Sequence, residues 1–291
     1  MAAPLLCRAE NLKVLVILSD NNAPYQFFAT ALNNSLPALM RATVLEHPEL
    51  FSPEMQPDLI VAVGMKATEL AAAQTHIPVL AAMIPRSGYE ALLATSPKKI
   101  PRPISALYLD QPWMRRIDFW RAALPGRHRV GLLHSPDAHI DVARLREEIA
   151  HRGGSLITFP VRSPDELFPQ LESVLTGSDV LLATPDNLIY SSSNIRNILL
   201  TSYRYGVPLI GLSQAYVNAG ALCAIFSTPE QLGIQASAMV ISFARNRELP
   251  VPQYPAAFTI AVNQQVARSL GIELPSTEAI FGQMSKAKEE R

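Results

Sequence analysis

Residues 178–221 hold the densest set of side chains able to bind a small molecule. An apolar run over 180–183 is long enough for a buried strand and too short for a helix. Thr184, Pro185, Asp186 and Asn187 follow, a loop in which Pro and Asx residues stop the strand. Tyr190, three serines and Asn194 lead into a helical pattern over 195–205, which Gly206 closes. A second strand is expected over 207–212, with Ser213 and Gln214 just beyond it. If these strands are parallel, both polar clusters lie outside their carboxyl ends, where open α/β sheets hold ligands.

Asp186 has two readings. Its carboxylate can pair with a solute ammonium or accept from hydroxyls, or it can close an Asx turn on its own backbone. Asn187, Ser213 and Gln214 offer neutral donors and acceptors, and each also suits a cap or a turn. Matching strand-end positions earlier in the chain are Ser19, Asp20, Gly64, Met65 and Ser135. Gly64 admits close approach of a solute to the backbone, or simply permits the turn. Tyr25, Tyr190 and Tyr216 can wall an apolar ligand or pack with a wet tip. Arg86 can fork onto a carboxylate or phosphate, or remain solvated. His134, Asp137 and His139 come within six residues, but no distant third ligand completes a transition-metal set. No nucleophile elbow, P-loop, Gly-rich dinucleotide turn or metalloprotease helix is present in the sequence. The expectation is a binding protein without cofactor or metal, not an enzyme.

The elements that position these groups alternate. Strands are expected over 13–18, 41–45, 58–63 and 78–83, with helices over 24–36 and 66–74 between them. Three prolines and three basic residues between Ser96 and Pro103, Lys98, Lys99 and Arg102 among them, read as a seam. A strand over 104–109 and a helix over 113–124 follow. The alternation then restarts with strands at 129–134 and 155–159 and helices at 140–151 and 164–175. The tail adds a strand at 221–226, a long amphipathic helix at 229–246 capped by Thr228, a proline-rich extended segment at 249–255, a strand at 258–262 and a short helix at 264–270. Two similar halves of this size imply two lobes rather than one wide sheet. The expected lobes are 1–103 with 227–252, and 104–226 with 253–291.

Composition narrows the classes. The chain has 291 residues, 48% of them hydrophobic, so it can bury a sizeable core. Its 25 basic and 25 acidic residues balance, which gives no electrostatic reason to expect nucleic acid or an anionic membrane. No apolar run approaches the ~20 residues needed to span a bilayer. Cys7 and Cys223 form no CxxC pair or zinc spacing, and no disulfide is expected. The first ten residues, MAAPLLCRAE, lack the charged start and full apolar core of a signal peptide. Leu5-Leu6-Cys7 faintly matches the end of a lipoprotein signal, although Leu6 is larger than the small residue usual there.

An ordered set of segments resembles a known family. They are Asp179–Asn187 (DVLLATPDN), Tyr205–Gly211 (YGVPLIG), Val217–Leu222 (VNAGAL), Thr228–Gly233 (TPEQLG), Pro250–Pro255 (PVPQYP), Val262-Asn263 and Val266–Gly271 (VARSLG). Together they are similar to the substrate-binding proteins of ABC transporters, with the type I periplasmic-binding-protein fold, whose better-known members take up aromatic amino acids. That resemblance implies two doubly wound parallel-sheet lobes joined by three strand crossings, near Pro103, Phe226 and Pro255. It implies a small solute held by hinge closure, an ABC permease and ATPase as partners, and export to the periplasm. The first half departs from the pattern. Ala82–Gly88 (AMIPRSG) lacks the relatives' Asp-Pro, and their glycines are nearly absent before the first crossing. A sensor domain of the same fold is the alternative reading, and an α/β enzyme a more distant one.

Overall fold

The computed structural model describes residues 12–74, 76–95 and 103–289. Cys7, Lys98, Lys99 and Arg102 lie outside the described residues. The chain divides into two compact units. One runs to Asp110 and takes in Ser227–Phe258; the other comprises Gln111–Phe226 and the chain from Thr259.

The first unit is built on strands buried along their whole length. β1 (Val14–Leu18) and β3 (Leu59–Val63) are continuous apolar runs, as strands covered on both faces must be. With β2 (Ala42–Leu45), β4 (Val79–Ile84) and β5 (Ile104–Tyr108) they form an all-parallel sheet in the order β2-β1-β3-β4-β5. Alternate residues feed two cores. Val14, Val16, Leu18, Leu59, Val61 and Val63 pack with Phe28 and Leu32 of α1 (Ala23–Ser35), and with Leu232, Ala236, Met239, Val240 and Phe243 of α9 (Pro229–Asn246). Leu15, Ile17, Ile60 and Ala62 pack on the other face with Ala67 and Ala71 of α2 (Met65–Gln74). The tail helix thus completes the first unit's core. A capping box starts it: Thr228 Oγ1 accepts from the Gln231 amide, and the Gln231 side chain accepts from the Thr228 amide.

The second unit repeats the plan. β6 (Arg129–His134), β7 (Ser155–Pro160), β8 (Val180–Leu182), β9 (Leu209–Gly211) and β10 (Cys223–Phe226) are parallel, in the order β10-β9-β8-β6-β7. β11 (Thr259–Val262) adds to the β10 edge antiparallel, where the chain re-enters this unit after Ser227–Phe258. α6 (Leu167–Gly177) and α7 (Ile195–Arg204) cover one face through Leu171, Val174, Leu175, Ile198 and Leu199. α4 (Trp113–Ala123) buries Ile117, Phe119 and Trp120 and packs against α11 (Thr277–Glu289).

The observed division differs from the expected one in where β5 belongs. Assigned above to the second lobe, it pairs with β4 and closes the first sheet. Its outer edge is also taken. The Tyr108 amide donates to the Gln253 carbonyl, and the Gln253 amide to the Ala106 carbonyl, so the segment around Gln253 lies with the first unit too. The boundaries therefore fall after Asp110, Phe226 and Phe258 rather than near Pro103 and Pro255. Three helices had not been expected: α3 (Arg86–Thr95), α8 (Gln214–Ala219) and α11. α5 (Val142–His151) and α10 (Gln264–Ser269) lie within their expected spans.

Candidate functional site

Both parallel sheets share the order 2-1-3-4-5, counted within each unit. In this order the chain leaves the first strand in one direction and resumes on its other side, opening a crevice beyond the carboxyl ends of the first and third strands. The expected site residues fall at these two edges, one in each unit.

In the first unit the switch point lies between β1 and β3. Ser19, half-buried, donates its amide to the Val63 carbonyl. Its Oγ accepts from the Ala67 amide at 2.9 Å, which ties the end of β1 to the first turn of α2. Gly64 has φ +87°, a left-handed conformation that favours glycine. A Cβ there would come within 2.6 Å of both Ser19 Oγ and Tyr25 Oη. The Tyr25 amide is capped by Asn22, which seats the ring at the start of α1. Burial, and then the charge of Asp20, push the Tyr25 phenol above its ordinary pKa, so it stays a donor. Asp20 itself is exposed. Met65 is half-buried, and its thioether comes close to Gly88. A bulge between Ala82 and Ile84 places Met83 at φ +54° at the end of β4, an uncommon conformation for a side chain that large.

Arg86 opens α3 at the same edge. Its Nη1 donates to Tyr254 Oη at 3.0 Å and its Nε to Glu90 Oε1 at 2.6 Å, while its amide donates to Asp110. The Tyr254 and Glu90 bonds hold the guanidinium more firmly protonated than usual. Tyr254 stacks edge-on against Tyr108, and Tyr108 against Tyr89. The guanidinium is thus engaged within its own unit, joining α3 to the segment that flanks β5.

In the second unit the switch point lies between β6 and β8. Asp186 is buried, and backbone amides satisfy its carboxylate: Oδ2 accepts from Ser135 at 2.7 Å and Oδ1 from Leu188 at 3.1 Å. The Tyr190 amide donates to the Asp186 carbonyl. This is an Asx turn with a clamp to the next strand end. Ser135 is buried beneath it. Thr184 Oγ1 donates to the Leu133 carbonyl, a second link between β6 and the loop. Tyr190 is buried and packs as core, its hydroxyl directed at the Leu182 carbonyl. Burial, with Tyr216 beside it, pushes its pKa far upward. Asn187 is exposed and makes no side-chain hydrogen bond among the described residues. Ser213 stands at the N-cap position of α8 without a side-chain cap bond, and Gln214 donates to Asn218. His134 Nδ1 lies 3.3 Å from the Ser135 carbonyl, and no cluster of three His, Cys, Asp or Glu side chains able to hold a metal occurs among the described residues.

Arg116 and Trp113 are not among the expected site residues. Arg116 is buried, its Nη2 donates to the Ala183 carbonyl at the end of β8, and its guanidinium lies 4.3 Å from the Trp113 ring centroid. A signal existed. Residue 116 is three positions after Trp113 and four before Trp120, so helical spacing puts this arginine on the apolar face.

A family model described as ABC transporter substrate binding protein matches residues 51–284. No curated protein matches the chain. Among solved structures, an ABC domain in complex with L-Trp from Streptococcus pneumonia is similar at TM-score 0.65 and 18% identity, covering 93% of this chain and 98% of its own. A ligand-free, open substrate binding protein with adhesive properties from Clostridium difficile reaches TM-score 0.71 at 18% identity, covering 92% and 97%. A periplasmic ribose ABC transporter protein from Conexibacter woesei reaches 0.54 at 12%, covering 90% and 95%. Two α/β units of this topology, and a family match over most of the length, lead to one conclusion: the chain belongs to the ABC transporter substrate binding protein family, with the type I periplasmic-binding-protein fold.

Proposed function

We propose that the protein captures a small solute outside the cytoplasm, an amino acid or similar metabolite, and delivers it to an ABC permease and its ATPase. It works by binding and release, not by turnover. The observation that carries this reading is the repeated switch point, with hydroxyl and amide side chains at the strand ends of both sheets. Ser19, Gly64 and Met65 are the proposed contacts in the first unit, with Asp20 at their rim. Asn187, Ser213 and Gln214 are those in the second, on a loop shaped by Asp186, Ser135 and Tyr190. Arg86 is proposed to hold its edge of the first unit in shape. The L-Trp complex of the streptococcal structure supports an amino acid by analogy of fold.

A solute that binds a compact state better than an open one shifts the population toward the compact state. Calorimetry against the L-amino acids and a set of small sugars tests this, with small-angle scattering on any solute retained. Heat and compaction together are expected. Absence of binding across the set overturns the reading.

A sensor role is the second reading. A structure described as a transcriptional activator of the comK gene from Bacillus halodurans is similar at TM-score 0.55 and 13% identity, so the same fold also occurs in regulators. Neighbouring permease and ATPase genes favour delivery, and a neighbouring histidine kinase gene favours sensing.

A further inference from the structure

We infer that the Tyr25 hydroxyl is a specificity-determining donor, which bonds an acceptor oxygen of the solute at the first unit's switch point. This deepens the proposed function and rests on it.

Three observations converge. First, the Tyr25 hydroxyl has no hydrogen-bond partner among the described residues, although the side chain is half-buried. It is not among the sealed polar atoms without a partner, which are Trp120 Nε1 and Thr158 Oγ1, so it is reachable from outside. Water can take its proton in the free protein, so a solute acceptor can take it without breaking a bond within the protein. Second, Ser19 Oγ converges on the same point, each hydroxyl 2.6 Å from the place a Gly64 Cβ would take. Ser19 accepts the Ala67 amide and does not bond Tyr25, so its proton is also available. Third, the residue beneath both is glycine, and any side chain there would fill the space the two hydroxyls share. Two O–H donors over a bare backbone suit an oxygen acceptor, a carboxylate or a carbonyl. A solute ammonium would leave both protons unused and would meet only the oxygen lone pairs, one of which the Ala67 amide already takes on Ser19.

Tyr25→Phe removes the oxygen and leaves the ring. Calorimetry with L-tryptophan, L-tyrosine and L-leucine on wild type and Tyr25→Phe is the test. Loss of one hydrogen bond to a charged acceptor predicts affinity weaker by about ten-fold or more. The thermal midpoint should not move, because no protein partner is lost. The amide of the amino acid that binds separates the two acceptors: a Tyr25 effect kept with the amide assigns a carbonyl oxygen, and one lost with it assigns the carboxylate. Wild-type protein gives an independent reading, a tyrosine ultraviolet difference spectrum on solute addition that is diminished in Tyr25→Phe. Equal affinity of the two proteins overturns this assignment and leaves the proposed function standing. If wild type binds none of the three but another L-amino acid, that one serves for the comparison, and no binding of any L-amino acid overturns the assignment and the amino acid reading together.

Discussion

The Asp186 carboxylate and the Ser135 amide meet at 2.7 Å, joining the loop after β8 to the end of β6. The same carboxylate also takes the Leu188 amide. Asp186→Ala leaves both amides without their acceptor in a buried place, which should cost about 2–4 kcal/mol. Asp186→Asn keeps one acceptor oxygen and should lose less than half of that. Denaturant titration of the two variants measures both. An Asp186→Ala protein as stable as wild type would show that the clamp contributes nothing.

Gly233 of α9 crosses α1 at very short range. A Cβ there would run into the Phe28 carbonyl oxygen and come within 2.9 Å of Ala31 Cβ. These are backbone and a short side chain, so neither can swing aside. Gly233→Ala should therefore destabilise by about 1–3 kcal/mol, against the small gain expected from alanine in an ordinary helix. Thermal denaturation gives the sign directly.

Asp179 should contribute stability that depends on acid pH. Its partial burial pushes the pKa up, but hydrogen bonds from Arg129, side chain and backbone, and from the His128 amide outweigh this and bring it from 3.8 to about 2. A carboxylate depressed in the folded state contributes stability that is present above the unfolded pKa and lost as pH falls through the folded one. Asp179 should thus stabilise fully above about pH 4 and lose its contribution between there and about pH 2. In Asp179→Asn the fall in thermal midpoint across that window should be smaller than in wild type.

The β-strands were the most legible part of the chain. Val14–Leu18 and Leu59–Val63 are wholly apolar because both faces are covered, and a run of that kind can be read locally. The partner of a strand cannot be read so. Ile104–Tyr108 looks the same whether it opens a second sheet or closes the first, and only its pairing with β4 decides. α3 was hidden by Gly88 and the prolines around it. α8 is only six residues long, and among the described side chains of α11 Ile280 and Met284 are the buried ones, too sparse a stripe to stand out. At the candidate site, residue types and strand ends were legible, but commitments were not. Asp186 is bound to backbone amides, Arg86 to Glu90 and Tyr254, and Tyr190 to the core. Such partners lie far off in sequence or depend on a turn that forms only in the fold.

Uptake of a small solute, with a change of shape between the free and the bound protein, is the property on which the proposed function depends. Calorimetry of the wild-type chain against L-amino acids and small sugars, followed by scattering on the solute that binds, tests it most directly. Saturable one-to-one heat and a smaller radius of gyration with the solute present are expected. A chain that binds none of them, or binds one without any change in size, contradicts it.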